Sequence, residues 1–181
     1  EGDIEHEPQH AEHEQRAGDL LRDLLPGVYL TLSHRITREF REYERTSTAV
    51  LNSYVGPTAT TYLNVLGDSL RGIGINGNFH IMQSSGGSAT FDAVREAPIT
   101  LVESGPVGGV IGAAELGRLI GVENLITLDI GGTTAKTSLI ADGMINVTTE
   151  YKLEWTQLTA GYPVKVPVVD IVEIGAGGGS I

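Results

Sequence analysis

One stretch of this 181-residue sequence constrains the fold more than any other: the apolar run Leu125–Ile130, followed by two glycines and two threonines. Residues 134–140 then alternate in polarity, and Ala141-Asp142-Gly143 has the sequence of a hairpin turn. This spacing predicts a buried strand, a tight turn, a returning strand and a third strand over residues 144–150. A sheet therefore lies at the centre of the predicted fold.

Helical patterns precede this strand pair. Apolar or small residues at helical spacing predict helices over residues 10–25, 47–54, 58–70 and 107–119. We expect Pro26-Gly27 to end the first helix and Gly56-Pro57 to separate the second from the third. Strand-like runs occupy residues 28–33, 79–83 and 164–174. Because helices and strands alternate, the predicted class is α/β.

Glycine is unusually frequent, with 24 residues in the chain. The glycines are clustered, which argues against a collagen-like or linker sequence. The clusters are Gly105, Gly108 and Gly109; Gly131 and Gly132; and Gly175, Gly177, Gly178 and Gly179. Since glycine lets the backbone approach a ligand closely, three such clusters indicate a protein that handles phosphate groups.

The turn after Leu125–Ile130 is the best candidate for phosphate binding. Its two glycines let the turn amides approach a phosphate, and the hydroxyls of Thr133 and Thr134 can add donors. Asp129, at the end of the predicted strand, could hold magnesium through water or orient an attacking water. The alternative is an ordinary hairpin with a glycine bend.

The other two glycine clusters each have two interpretations. Ser104-Gly105-Pro106 opens a predicted helix, whose N-terminus is either an anion site or a stretch of small residues packed closely on the sheet. The loop at residues 175–179 follows the last predicted strand. It either cradles an adenosine or a phosphate, or forms a flexible turn.

Several other polar and aromatic residues are considered as site candidates. Asp170 lies among valines and isoleucines, where an unpaired carboxylate is costly, so it should meet a metal, a basic group or backbone donors. His34 could reach a cleft, but a surface position is the plainer interpretation. Three histidines have the helical spacing of a metal cluster but lie at a charged chain end: His6, His10 and His13. Two aromatic residues are interpreted as core: Trp155 and Tyr162.

Composition excludes several classes of protein. The formal net charge of -11 argues against binding to nucleic acid or to an anionic membrane. There are no cysteines, so disulfides, thiolate zinc sites and cysteine nucleophiles are excluded. No apolar run reaches the roughly 18 residues that a membrane span needs, and the acidic start has no signal-peptide pattern. The expected location is the cytoplasm.

The stretch from Glu39 to Ile181 resembles the hydantoinase A / oxoprolinase family, which includes N-methylhydantoinase, ATP-dependent 5-oxoprolinase and the ATP-binding subunits of acetone carboxylase. Four blocks in order carry the resemblance: residues 39–55 (EFREYERTSTAVLNSYV), 82–87 (MQSSGG), 104–110 (SGPVGGV) with 128–133 (LDIGGT), and 167–181 (PVVDIVEIGAGGGSI). One block alone would be weak evidence. Their common order and spacing make the resemblance specific.

The resemblance implies an actin-like ATPase fold, shared in outline with sugar kinases and heat-shock chaperones, which holds ATP between two lobes with two phosphate hairpins. Residues 129–133 match the second-lobe hairpin. The family's first hairpin, near its N-terminus, has no match in this sequence. We therefore expect a fragment: residues 1–46 from a preceding region, and residues 47–181 forming the family core, truncated at its C-terminal end and inactive by itself.

One position departs from the family pattern. The family continues its hairpin as Gly-Gly-Thr-Ser-Thr-Asp, whereas this chain has Thr134, Ala135 and Lys136 at the last three positions. A lysine thus replaces a carboxylate that could help to place a metal. Lys136 either pairs with a phosphate or is a solvated strand lysine.

The activity implied by the resemblance is the ATP-driven opening of a cyclic amide, such as a hydantoin or 5-oxoproline, through phosphorylation of the amide oxygen. The implied cofactors are ATP and Mg²⁺. Asp129 would place the magnesium or the water, and Asp170 is a second catalytic candidate. The candidates for nucleotide binding are Thr133, Thr134, Gly105, Gly108, Gly109, Gly131, Gly132, Gly177, Gly178 and Gly179.

Two other functions remain open at this stage. The first is the ATP-binding subunit of an acetone-type carboxylase, which would activate a ketone or bicarbonate and would need a partner subunit. The second is an actin-like nucleotide switch without enzymatic activity. For the amidohydrolase, the expected partners are the small cyclic amide and, in the full-length protein, a B-type subunit or further copies of the same chain.

Overall fold

The computed structural model describes residues 11–38, 41–154, 156 and 158–180. Its helices are α1 (Ala11–Leu24), α2 (Ser33–Ile36), α3 (Glu42–Gly72), α4 (Phe91–Glu96), the 3-10 helix η1 (Pro98–Leu101) and α5 (Ser104–Ile120). Its strands are β1 (His80–Met82), β2 (Ser88–Thr90), β3 (Leu125–Ile130), β4 (Ala135–Ala141), β5 (Met144–Ile145), β6 (Val147–Thr148), β7 (Tyr151–Leu153), β8 (Tyr162–Val164), β9 (Val168–Val169) and β10 (Val172–Ile174). The predicted α/β class is confirmed.

The strand pair predicted around the glycine turn is present. β3 pairs antiparallel with β4 along the whole length of β3, with Asp129 opposite Lys136 and Ile130 opposite Ala135. β10 adds on the other side of β4, and β5 returns beside the end of β4. The third strand predicted over residues 144–150 is divided, because β5 pairs with β4 whereas β6 pairs with β9.

Helix α5 covers one face of this sheet. Val107 and Val110 of α5 are buried against Ile140 of β4 and Val169 of β9. The opposite face is apolar but exposed, and Ile126 and Leu128 of β3 are 77% and 67% exposed. The expectation of a buried strand is therefore wrong for β3, because none of the described segments packs on its second face.

Helix α3 is continuous for 31 residues, with Pro57 inside it. The predicted break at Gly56-Pro57 is therefore wrong, although proline removes one helical hydrogen bond. Tertiary contacts on both sides of the proline stabilise the helix. Asn52 accepts a hydrogen bond from the Ile99 amide at 3.1 Å, and Leu63 is fully buried with residues of α4.

Gly56 contributes to this packing through its lack of a side chain. The ring of Tyr29 lies against it so closely that a Cβ atom at residue 56 would be 2.3 Å from the ring. The Tyr29 hydroxyl donates a hydrogen bond of 2.6 Å to the carbonyl of Arg95. The strand predicted over residues 28–33 is absent. Residues 28–32 contact the rest of the fold through side chains such as that of Tyr29, and Ser33 is already the first residue of α2.

Glu14 joins α1 to α2 and α3. Its carboxylate accepts hydrogen bonds from the amide of Ser33 at 2.5 Å and from Arg45 at 3.0 Å, and it lies 2.8 Å from Nδ1 of His34. Desolvation raises the pKa of Glu14, but the hydrogen bonds from His34 and Ser33 outweigh it and lower this pKa from 4.5 to about 2. His34 is therefore half-buried in a structural contact, and the expected surface position is wrong.

Replacing Glu14 by glutamine should loosen the attachment of α1, because hydrogen bonds to a charged acceptor each contribute about 1.5–3 kcal/mol and exposure reduces this. We expect a lower thermal unfolding midpoint at pH 7. Because folding lowers the pKa of Glu14, the difference from the unsubstituted chain is fully present above pH 4.5 and is lost as the pH falls through about 2. Glu12→Gln, at an exposed position of the same turn, is the matched control. Equal effects of the two substitutions would contradict this role of Glu14.

Candidate functional site

The turn between β3 and β4 presents unpartnered polar groups. The Gly131 amide donates to the carbonyl of Thr134 at 2.9 Å, which closes the turn. Within the described ranges, no hydrogen-bond partner is found for the amides of Gly132 and Thr133, for the Thr133 and Thr134 hydroxyls or for the Asp129 carboxylate. Grouped donors beside one carboxylate suit a phosphate group and its metal ion. We call residues 129–134 the phosphate hairpin.

The third glycine cluster is docked on the phosphate hairpin. The amides of Gly177, Gly178 and Gly179 donate to the carbonyls of Thr133, Gly131 and Gly132, at 3.1, 2.9 and 2.8 Å. The structure therefore brings together two glycine clusters that lie more than 40 positions apart in the sequence. Because these amides are already engaged, the visible role of the loop is to support the hairpin; direct contact of its glycines with a nucleotide stays a prediction.

The first glycine cluster lies at the start of α5. A Cβ atom at Gly105, Gly108 or Gly109 would meet no atom within 4 Å among the described residues. Close packing on the sheet therefore does not explain these three glycines. The tight contact of α5 is at Gly117, which sequence reasoning did not select, where a Cβ would lie 2.5 Å from the carbonyl oxygen of Val122. Phosphate binding by the cluster stays a prediction.

Glu103, directly before α5, is a site residue that sequence reasoning missed. One carboxylate oxygen lies 2.5 Å from the Lys136 ammonium, and the other accepts a hydrogen bond of 3.0 Å from the Tyr151 hydroxyl. A second carboxylate, that of Glu173, lies 3.5 Å from Lys136. The one available signal was a glutamate preceding the Ser-Gly-Pro block.

The environment of Glu103 shifts the proton equilibria of its neighbours. Burial lowers the pKa of Lys136, but the carboxylates of Glu103 and Glu173 outweigh burial and raise it. Burial, followed by the negative charge of Glu103, raises the pKa of the Tyr151 hydroxyl. Lys136 is therefore a charged ion-pair partner whose side chain is only 19% exposed, and the interpretation as a solvated strand lysine is wrong.

Asp170 lies apart from the phosphate hairpin. It follows β9 and is exposed, so the predicted burial among apolar residues is wrong. The predicted strand over residues 164–174 is broken here. The backbone amide of Asp170 donates to the backbone carbonyl of Asn146 at 2.9 Å, and the carbonyl of Asp170 accepts a hydrogen bond of 2.7 Å from the Ser138 hydroxyl. Asp170 and Glu103 line a cavity of 690 Å³, whereas Asp129 lines a separate groove of 410 Å³ between α5 and β3. A catalytic role for Asp170 stays a prediction.

The remaining candidates do not form a site in the part of the chain that is described. His6, His10 and Trp155 lie outside the described residues, and His13 is exposed on α1. Tyr162 is 53% exposed in β8, so its assignment to the core is wrong. Among the residues that the structure describes, no group of three or more histidine, aspartate or glutamate side chains is arranged to hold a metal ion. None of the described helices is long and apolar enough to cross a membrane.

Comparison with known proteins identifies relatives along most of the chain. The model of the family described as hydantoinase/oxoprolinase matches residues 45–181. Uncharacterized protein MJ0964 of Methanocaldococcus jannaschii is 39% identical over 175 residues, covering 93% of this chain and 26% of that protein. Caprolactamase subunit alpha of Pseudomonas jessenii is 32% identical over 169 residues, covering 93% of this chain and 23% of that subunit.

Two solved structures share the fold. The ATP-dependent caprolactamase from Pseudomonas jessenii has a TM-score of 0.77 at 32% identity, over 95% of this chain and 24% of that chain. The nucleotide-free structure of acetone carboxylase, described as carrying out ATP-dependent acetone carboxylation, has a TM-score of 0.76 at 27% identity, over 93% of this chain and 23% of that chain. This chain thus spans about a quarter of the length of these relatives.

The resemblance inferred from the four sequence blocks is confirmed. The matched residues 45–181 include the phosphate hairpin, the start of α5 and the loop at residues 175–179. The related structures are those of ATP-dependent enzymes, and the mixed α/β segment that they share with this chain covers 93% and 95% of its length. The chain belongs to the hydantoinase/oxoprolinase family.

Proposed function

We propose that this chain is the nucleotide-binding part of an ATP-dependent enzyme that opens a cyclic amide, such as a hydantoin or 5-oxoproline. The observation that supports this most strongly is the phosphate hairpin, where unpartnered amides and hydroxyls lie beside the unpartnered carboxylate of Asp129. The caprolactamase relative adds support, because caprolactam is itself a cyclic amide. The fold we propose is one lobe of an actin-like ATPase.

In this proposal the residues of the hairpin have separate tasks. The amides of Gly132 and Thr133 and the hydroxyls of Thr133 and Thr134 donate hydrogen bonds to phosphate oxygens. Asp129 holds the Mg²⁺ ion through water or orients an attacking water. When bound, Mg-ATP would supply a phosphoryl group to the amide oxygen, which makes the amide carbon a better electrophile for the water whose attack leads to release of the ring nitrogen. The loop at residues 175–179 keeps the hairpin donors aligned through its three backbone hydrogen bonds.

The arrangement of the whole protein is part of the proposal. Residues 1–46 would come from a preceding region and residues 47–181 from the family core, although α3 (Glu42–Gly72) runs through this division without a break. The caprolactamase relative is named as a subunit. We therefore propose that the full-length protein acts with a B-type partner subunit or as a homo-oligomer.

A carboxylase function is the second candidate, because the structure of acetone carboxylase matches as well as that of the caprolactamase. Such an enzyme would use the same hairpin, but the phosphoryl group would activate a ketone or bicarbonate. The two candidates differ in the molecule that stimulates ATP hydrolysis. The hairpin alone is compatible with both.

The test is ATP hydrolysis by the full-length protein, with and without its neighbouring subunit, in the presence of 5-oxoproline, hydantoins, caprolactam or small ketones with bicarbonate. Stimulation by a cyclic amide is the expected result and would name the substrate class. Stimulation by a ketone with bicarbonate alone would assign the protein to the carboxylases. Nucleotide binding without stimulation by any of these compounds would contradict both enzymes and favour a nucleotide switch.

A further inference from the structure

Asp129 and Lys136 occupy the positions of a cross-strand ion pair. They are directly opposite each other in the antiparallel pair of β3 and β4, so both side chains extend from the same face of the sheet. Cβ atoms at such positions are about 5 Å apart, and opposite charges there attract each other. From the backbone alone, Lys136 would be expected to neutralise Asp129.

The ammonium group of Lys136 is held elsewhere. In the described part of the chain its ion pairs are with Glu103 at 2.5 Å and with Glu173 at 3.5 Å, and none is formed with Asp129. The Glu103 carboxylate is 11% exposed and that of Glu173 is 42% exposed. Because water screens the exposed partner more strongly, Glu103 is the stronger attachment for Lys136.

Glu103 is itself fixed in an unusual conformation. Its backbone is left-handed, with φ 58° and ψ 8°, immediately before the first residue of α5. For a residue other than glycine this conformation costs about 1 kcal/mol and persists where the surrounding contacts require it. With one oxygen on Lys136 and the other on Tyr151, both acceptors of the carboxylate are engaged.

We propose that Glu103 is a positioning residue, which holds Lys136 away from Asp129 and so leaves the Asp129 carboxylate free at the phosphate hairpin. The inference rests on the proposed function, in which Asp129 serves the metal ion or the attacking water. The inference also explains why a lysine stands at a position where the family pattern has a carboxylate. Lys136 links β4 to the start of α5 instead of binding the phosphate. The tolerance of the site for a lysine at this position depends on Glu103.

The test compares three variants of the full-length protein: Glu103→Gln, Lys136→Met and the combination of both. Glutamine keeps the size of Glu103 and an acceptor for Tyr151 but removes the charge that holds Lys136. In Glu103→Gln, the affinity for the magnesium complex of a non-hydrolysable ATP analogue, measured by calorimetry, should fall about two- to fivefold, because Lys136 moves to Asp129. The double variant should regain the affinity of Lys136→Met, since no ammonium group remains to occupy Asp129.

A structural readout accompanies the binding measurement. In crystals of nucleotide-free Glu103→Gln, the ammonium nitrogen of Lys136 should lie within about 4 Å of an Asp129 carboxylate oxygen. Glu173→Gln, which removes the more exposed partner, should change the affinity less than Glu103→Gln. Unfolding midpoints of all variants show whether a lost affinity reflects a loss of folded protein.

The outcomes separate this inference from the proposed function. If Glu103→Gln weakens binding and Lys136→Met does not restore it, Glu103 has only a structural role and the inference is overturned. If Glu103→Gln binds normally while Asp129→Ala does not bind, the inference fails and the proposed function stands. If Asp129→Ala itself binds and hydrolyses ATP normally, both fail.

Discussion

Replacing Asp129 by alanine in the full-length protein is expected to lower kcat for ATP hydrolysis by about 10²- to 10³-fold, which is the usual effect of removing one charge-stabilising group from a site of this kind. The reason is the position of the carboxylate. It lies at the end of β3, beside the unpartnered amides of the phosphate hairpin, and no ion pair within the described ranges occupies it. The substitution removes the only carboxylate of the phosphate hairpin, and a carboxylate is the group of the hairpin best suited to a metal ion.

The measurement is steady-state ATP hydrolysis, combined with the unfolding midpoint. The midpoint should change little, because Asp129 is exposed and its side chain forms no hydrogen bond or ion pair among the described residues. Asp142→Asn is the matched control, since Asp142 is an exposed aspartate in the next turn of the same sheet. Its φ of 51° is one that asparagine adopts readily, so turnover should remain within about twofold. Equal activity of the two variants would remove Asp129 from the proposed mechanism.

Replacing Gly177 by alanine is expected to displace the phosphate hairpin, because the loop at residues 175–179 packs directly on it. A Cβ atom at residue 177 would lie 2.5 Å from both the amide nitrogen and the carbonyl carbon of Thr133. Neither atom can move without shifting the hairpin, because both belong to its backbone. We expect at least about a tenfold loss of affinity for the magnesium complex of a non-hydrolysable ATP analogue, and a destabilisation of about 1–3 kcal/mol, as for overpacked sites.

The neighbouring glycine supplies the control for this prediction. A Cβ atom at Gly178 would lie 3.7 Å from the carbonyl oxygen of Gly131, which is an ordinary contact distance. Gly178→Ala shares the loop and the loss of glycine flexibility, but not the clash. It should bind the analogue within about twofold of the unsubstituted protein. A similar loss of affinity in both variants would show that flexibility of the loop, and not its close fit to the hairpin, is what the nucleotide site needs.

The sequence identified the phosphate hairpin and the loop at residues 175–179 with unequal success. The hairpin was predicted because a strand, a turn and a returning strand are local patterns, read from side-chain alternation and turn residues within about 15 positions. Asp129 was selected for the same reason. The loop at residues 175–179 was recognised as glycine-rich, but its docking on Thr133 depends on a contact across more than 40 positions.

The errors have a common physical cause. Gly56-Pro57 was expected to end a helix because both residues disfavour one, yet buried contacts of Asn52 and Leu63 on either side make the continuous helix more favourable. Asp170 was expected to be buried because its neighbours are apolar. The chain breaks into separate short strands at this point, and the carboxylate reaches solvent.

The amino-acid sequence by itself determined the family, the strand pair around the glycine turn and the position of that turn, because these depend on residue types at short, regular spacing. Tertiary structure alone decided the partner of Lys136. Glu103 lies 33 positions earlier, in a left-handed conformation at the start of α5, and nothing in the local pattern predicts that the two charges meet. Attraction between distant charges depends on how helices pack on the sheet, and that packing exists only once the chain has folded.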